Sequence, residues 1–222
     1  MPRSDAGARI VLASASPRRR EILALLGVPF EVVPAEDVDE EAFGGPAERA
    51  ARELALAKAA SVFGRLSERA PGPPLRVLAA DTIVAVEVGG REEILGKPRD
   101  EEDARRMLAL LSGREHVVWT GLALLERGAA PRVEIERSEV AFRALSAEEI
   151  AAYVASGEPS GKAGAYAIQG AGGALVAGFR GCYANIVGLP LVRAARLLGL
   201  PPPDCGCGEH PLQRSSPGCR ER

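Results

Sequence analysis

A chain of 222 residues is long enough for one α/β domain, or two closely joined lobes, around a sizeable core. Its formal net charge of -2 argues against a broad nucleic-acid-binding surface but allows a small, locally basic pocket. Hydrophobic residues at 46% and charged residues at 26% are ordinary for a globular protein, and no apolar run approaches the roughly 20 residues of a membrane span.

Met1–Asp5 lacks the apolar core of a signal peptide, so a cytoplasmic location is expected, with neither nucleic acid nor membrane as partner. The four cysteines form no disulfide framework.

The first predicted element is a buried strand over 9–13, the apolar run Ile10-Val11-Leu12-Ala13. It feeds directly into Ser14-Ala15-Ser16-Pro17-Arg18-Arg19, and a helix over 17–26 leaves it and stops at Gly27. Ser16 suits the N-cap and Pro17 the first helical position, where its missing N–H costs nothing. Hydroxyls, guanidinium groups and free helix N–H donors then converge on one volume, a site for an anion such as phosphate. A capped surface helix with solvated arginines is the alternative.

Phe30-Glu31-Val32-Val33 reads as a second strand, followed by an acidic loop over 36–41. Pro46 opens a long helix through about Leu66, with Leu54, Ala57 and Val62 on one side. After a Pro/Gly-rich break at 70–74, residues 76–80 form a strand ending at Asp81, and 82–86 continue extended. Gly89-Gly90 signals a hairpin. Asp100 caps a helix through Leu111, which Gly113 ends. Strands over 117–125 and 133–142 are joined by a turn containing Gly128, and Ser146-Ala147-Glu148-Glu149 is a capping box for a helix over 147–155. A glycine-rich stretch runs from 157 to 181, and 189–198 is the closing helix. Early βαβ units followed by hairpins predict an α/β fold, a mixed twisted sheet flanked by helices, in two lobes with a deep cleft. Residues 201–222 lack periodicity and are expected to be a disordered tail on a domain spanning 1–200.

Asp81, at the end of an apolar strand, is placed to bind a divalent metal or activate water, or else to cap a turn. Lys97, between Gly96 and Pro98, can present its ammonium to phosphate; an ordinary exposed loop lysine is the alternative. Lys58 falls on the long helix, where a solvated face is the default. In Gly161-Lys162-Ala163-Gly164-Ala165-Tyr166-Ala167-Ile168-Gln169-Gly170, small residues let a backbone approach a ligand, Lys162 can face phosphate, and Gln169 offers a donor and an acceptor to a base edge. A bulged, glycine-rich loop is the alternative. Neither a P-loop nor a dinucleotide fingerprint is present. His116 beside a strand reads as structural, and Cys205, Cys207, His210 and Cys219 fit no regular zinc module.

Together these segments resemble the Maf family of nucleotide pyrophosphatases. The matching pieces are the 12–19 run, Ala80-Asp81-Thr82-Ile83-Val84, Gly96-Lys97-Pro98, Leu111-Ser112-Gly113 with His116, the 162–170 run and Val187-Gly188-Leu189-Pro190. They stand in family order over about 9–199, and the tail after Leu200 has no counterpart. The resemblance implies hydrolysis of a nucleoside triphosphate to the monophosphate and pyrophosphate with Mg²⁺ or Mn²⁺, and a homodimer. Arg18, Thr82 and Gln169 look like the branch that prefers dTTP and UTP, including some modified uridine nucleotides. On this likeness Ser14, Ser16, Arg18, Arg19, Lys58, Lys97 and Lys162 meet the phosphates, and Thr82 and Gln169 read the base. Glu40 and Asp81 hold the metal, with Asp81 the general base. A small insertion leaves Asp39 and Glu41 open beside Glu40, and Ala167 stands where the family more often has Gly. A nucleotide-responsive regulator of septum formation and a 7-methyl-GTP pyrophosphatase are the alternative readings.

Overall fold

The computed structural model describes residues 8–67, 74–204 and Leu212, apart from the side chain of Glu41. Strand β1 (Arg9–Leu12) lies parallel to β2 (Glu31–Val32) on one side and to β3 (Leu75–Val88) on the other. Strand β3 pairs antiparallel with β4 (Arg91–Leu95) through the Gly89-Gly90 turn, and with β5 (Glu115–Glu126). Strand β5 pairs with β6 (Arg132–Phe142), and β6 with β7 (Val176–Arg180). The result is one mixed seven-stranded sheet in the order β2-β1-β3-β5-β6-β7, with β4 also on β3.

A strand has two edges, and β5 occupies one edge of β3 without interruption from Arg76 to Ala85. The partners β1 and β4 must therefore share the other. The first takes Leu75–Leu78 and the second Val84–Val88. Between them, residues 79–83 have no strand partner on that edge. Asp81 stands in this gap. The strand expected to stop at Asp81 instead runs through it, because β5 carries the pairing across.

Side chains alternate along β3. Val77, Ala79, Ile83 and Ala85 pack under α2 (Ala47–Ser67), against its small residues Ala51, Ala55 and Ala59. Leu78, Ala80, Val84 and Val86 belong to the core on the opposite face, which α1 (Pro17–Ala24), α3 (Glu101–Leu111) and α4 (Ala147–Ala155) help to close. Helix α2 sits unusually close to the sheet: a Cβ on Gly121 of β5 would lie 2.1 Å from the Ala51 carbonyl oxygen.

The caps follow the sequence. Ser16, Asp100 and Ser146 each accept from the expected backbone N–H, and Ser146 with Glu149 completes the capping box. Two expectations change. The closing helix expected over 189–198 is α6 (Leu191–Leu197), and an unexpected short helix, α5 (Tyr183–Val187), precedes it. Gly188 at φ +125 and Pro190, which has no N–H, break the helical path between them. The glycine-rich stretch also contains β7, whose backbone is recruited by the edge of β6. Within the expected tail, Leu212 is half-buried and its carbonyl accepts from Phe179 N at 2.9 Å. Residues 205–211 and 213–222, with Cys205, Cys207, His210 and Cys219, lie outside the described residues. Among the described residues no helix is long and apolar enough to cross a membrane.

Candidate active site

A cleft of about 560 Å³ opens at the gap in β3. Its first wall is the turn from β1 to α1. Ser14 Oγ accepts from Ser16 N at 3.2 Å, and Ser16 Oγ accepts from Arg19 N at 3.4 Å. This locks the turn and points the start of α1, with Arg18 and Arg19, at the cleft. Arg19 donates from Nε to the Gly188 carbonyl at 2.8 Å and from Nη2 to Thr82 Oγ1 at 3.1 Å. Burial lowers its pKa, and the nearby Asp81 and Glu40 carboxylates oppose that effect.

Asp81 and Thr82 are neighbours in β3 and so face opposite sides of the sheet. Asp81 faces α2, where Lys58 Nζ donates to Asp81 Oδ1. The same ammonium donates to Glu40 Oε1 at 2.6 Å, and Lys97 Nζ donates to Glu40 Oε2 at 2.7 Å. Burial pushes the Glu40 carboxyl up, but the Lys58 and Lys97 ammonium groups outweigh it and hold the pKa down at about 2. Lys58 is thus not on a solvated face. Thr82 points the other way, toward α1. Its Oγ1 lies 2.9 Å from Thr120 Oγ1, which donates to the Asn185 carbonyl at 3.1 Å.

The far wall comes from the segment 160–168. Gly164 presses onto β3, where a Cβ would come within 2.9 Å of Val84 Cγ1. Lys162 lines the cleft, and burial together with the charge of Arg18 holds its pKa below the usual lysine value. Tyr166 packs edge-on against Phe142 and His116, with its hydroxyl 2.8 Å from His116 Nε2. His116 is buried and lies off the cleft lining, in line with a structural role. Gln169 is exposed. It borders a small hollow that shares Arg18, Tyr166, Ile168, Ile186 and Val187 with the main cleft.

Residues 9–200 match the family model described as Maf-like protein. The chain belongs to the Maf family. It is 50% identical over 195 residues to the dTTP/UTP pyrophosphatase of Moorella thermoacetica, covering 86% of this chain and 94% of that protein. It is 52% identical over 198 residues to the dTTP/UTP pyrophosphatase of Myxococcus xanthus, covering 87% of this chain and 94% of that one. Among solved structures, the Ham1 protein of Staphylococcus aureus overlaps 60% of this chain and 71% of its own, at 16% identity and a TM-score of 0.42, a partial likeness that adds nothing to the family assignment.

In this Maf protein, Ser14, Ser16, Arg18, Arg19, Lys58, Asp81, Thr82, Lys97, Lys162 and Glu40 all line one cleft, and Gln169 stands at its rim. Motif reading passes over Thr120 and Asn185, which support Thr82 from behind. The only sequence signal for Thr120 is its register opposite Thr82, and register is invisible until the two strands pair.

Glu40 and Asp81 are the two carboxylates of the cleft lining that could hold a divalent cation. They come from separate elements, and both meet the Lys58 ammonium, so their oxygens face one small volume at the cleft floor. Among the described residues no cluster of three or more acidic, histidine or cysteine ligands forms, so phosphate oxygens and water would complete the shell. That is the donor set Mg²⁺ takes in nucleotide sites.

Proposed function

We propose that this Maf protein hydrolyses nucleoside triphosphates, dTTP and UTP foremost and modified uridine triphosphates of the same shape, to the monophosphate and pyrophosphate. The relatives named above act on dTTP and UTP by their names. The observation that carries the reading is the convergence of Arg18, Arg19, Lys58, Lys97 and Lys162 around a carboxylate set in the gap of β3.

The charges explain the division of labour. Lys58, Asp81, Glu40 and Lys97 form an alternating chain that is neutral by itself. The charge of a bound polyphosphate therefore falls on Arg18, Arg19 and Lys162, together with a divalent cation. The Ser14–Ser16 turn and the start of α1 add N–H donors. Mg²⁺ or Mn²⁺ held by Glu40 and Asp81 supplies neutralisation of the phosphates and acidifies nearby water.

In the reaction, Asp81 orients a water against the α-phosphorus and takes its proton as the new P–O bond forms. Lys58 occupies Oδ1, which leaves Oδ2 for the water. The bond from the α-phosphorus to the bridging oxygen breaks, and the arginines stabilise the charge gathering on pyrophosphate. Val84, Val118, Ile168, Ile186 and Val187 give the base an apolar slot, with Thr82 and Gln169 as polar partners at its edge. The catalytic unit proposed is 1–200, and the homodimer implied by the resemblance is checked by light scattering.

The test is pyrophosphate release with Mg²⁺ from dTTP, UTP, CTP, purine triphosphates and 7-methyl-GTP. Fastest turnover of dTTP and UTP is expected. No pyrophosphate from any of them would leave a nucleotide-binding regulator as the reading, and a preference for 7-methyl-GTP would reassign the base pocket.

A further inference from the structure

Four hydrogen bonds at the rim of the cleft converge on Tyr153 and Glu158. Tyr153, in α4, donates to Glu158 Oε1 at 2.8 Å, and its hydroxyl oxygen accepts from Ala167 N at 3.2 Å. The Glu158 carboxylate accepts from Ala171 N at 3.1 Å and Gly172 N at 2.9 Å. Ala167 and Ala171 stand two residues before and two residues after Gln169. One side-chain pair thus pins the backbone on both sides of the exposed glutamine.

The fit is tight. A Cβ on Gly172 would lie 2.2 Å from the Ala167 carbonyl oxygen and 2.6 Å from the Tyr153 hydroxyl. On Gly170, at φ +78, it would lie 2.9 Å from Glu158 Oε2. These glycines let the chain wrap around the carboxylate. Two successive N–H groups aimed at one anion make a backbone nest, here filled from within the protein. Burial opposes the Glu158 charge, but the Gly172 and Ala171 amides, the Tyr153 hydroxyl and the Lys162 charge keep its carboxyl below the usual range.

Glu158 also fixes the other end of the wall. Its carbonyl accepts from Lys162 Nζ, which reaches the Ser160 carbonyl at 3.4 Å as well. The Lys162 contact runs through the Glu158 backbone carbonyl, which a side-chain substitution keeps, so the carboxylate itself bears on the Gln169 segment alone. A segment this rich in glycine would lose much freedom on meeting a substrate if it were not ordered beforehand.

We propose that Tyr153 and Glu158 are positioning residues for base selection, holding the backbone of 167–172 so that Gln169 meets the pyrimidine edge. This rests on the pyrimidine-triphosphate reading above. Neither residue touches the reacting atoms.

The experiment compares Tyr153→Phe and Glu158→Gln, each alone and combined with Gln169→Ala. It reads kcat/KM for dTTP and dGTP, melting temperature, and amide hydrogen exchange by NMR. In the single variants kcat/KM for dTTP falls about tenfold, the cost expected for loosening one buried polar contact, while the slow dGTP rate holds. Amides of 167, 171 and 172 exchange faster, and those of β3 keep their protection. On the Gln169→Ala background neither substitution lowers the dTTP rate further, because residues acting as one unit are not additive. An unchanged dTTP/dGTP ratio in a folded variant overturns the proposal. So does an equal loss with both nucleotides, or a loss that adds in full to that of Gln169→Ala. If Glu158→Gln does not fold, Tyr153→Phe, which keeps the ring and removes one hydroxyl, decides alone. A wild-type protein that turns over no triphosphate overturns the pyrophosphatase reading itself, and base selection with it.

Discussion

Lys58 on α2 is hydrogen-bonded to Asp81 in the middle of β3, and their side chains are only 10% and 9% exposed. The pair exists because Asp81 points to the face of β3 that α2 covers. Lys58 has a second carboxylate partner, Glu40, at 2.6 Å. A buried ion stripped of every partner is strongly destabilising, but a network with a spare partner tolerates a single loss better.

Asp81→Asn is therefore expected to separate activity from stability. Lys58 keeps Glu40, so the melting temperature should move little. Loss of a positioned base lowers rates by about 100-fold or more. Pyrophosphate release from dTTP measures it, and a rate near wild type would remove Asp81 from the chemistry.

Gln169→Glu replaces an amide donor with an acceptor-only carboxylate at the rim of the base slot. Selection of dTTP over dGTP should fall about tenfold, the effect of one lost polar partner. The ratio of kcat/KM values checks it, and an unchanged ratio would place the base elsewhere.

Gly121→Ala tests how the sheet positions the site. Its Cβ would sit 2.1 Å from the Ala51 carbonyl oxygen, so α2 must back away from β5. Overpacking of this kind costs about 1–3 kcal/mol or more. Because Lys58 rides on α2, turnover should fall along with the melting temperature. Gly64→Ala is the control within the same helix. Nothing lies within 4 Å of the added methyl, and a gain of about 0.5–1 kcal/mol is expected in thermal unfolding.

His116 gives a pH signature. Burial pushes its pKa from the usual 6.5 down to about 3. Between those values the unfolded chain binds a proton that the folded chain does not. Stability from this group is complete above about pH 6.5 and is lost as pH falls toward 3. The slope is about 1.4 kcal/mol per pH unit at most. His116→Gln should flatten that part of the curve of melting temperature against pH, while retaining a polar partner for Tyr166. An identical slope in the variant would contradict the assignment.

Local chemistry was readable along the chain. Ser16, Asp100 and the Ser146/Glu149 box mark helix starts through bonds to residues three positions away, and Gly89-Gly90 marks a turn between adjacent strands. The Ser-Pro-Arg-Arg turn, Lys97 and Asp81 were visible as candidates for the same reason: each announces itself in its immediate neighbours.

The chain order alone could not show that β3 continues through Asp81, because the pairing that carries it comes from β5, some forty residues away. A polar residue ending an apolar run looks like a strand end until that partner is present. Nor could it show Lys58 buried, Thr120 behind Thr82, or Tyr153 and Glu158 gripping both flanks of Gln169. These contacts depend on sheet register and on the close approach of α2 at Gly121. Register and approach are set by the packing of whole faces, and no short stretch of residues encodes them.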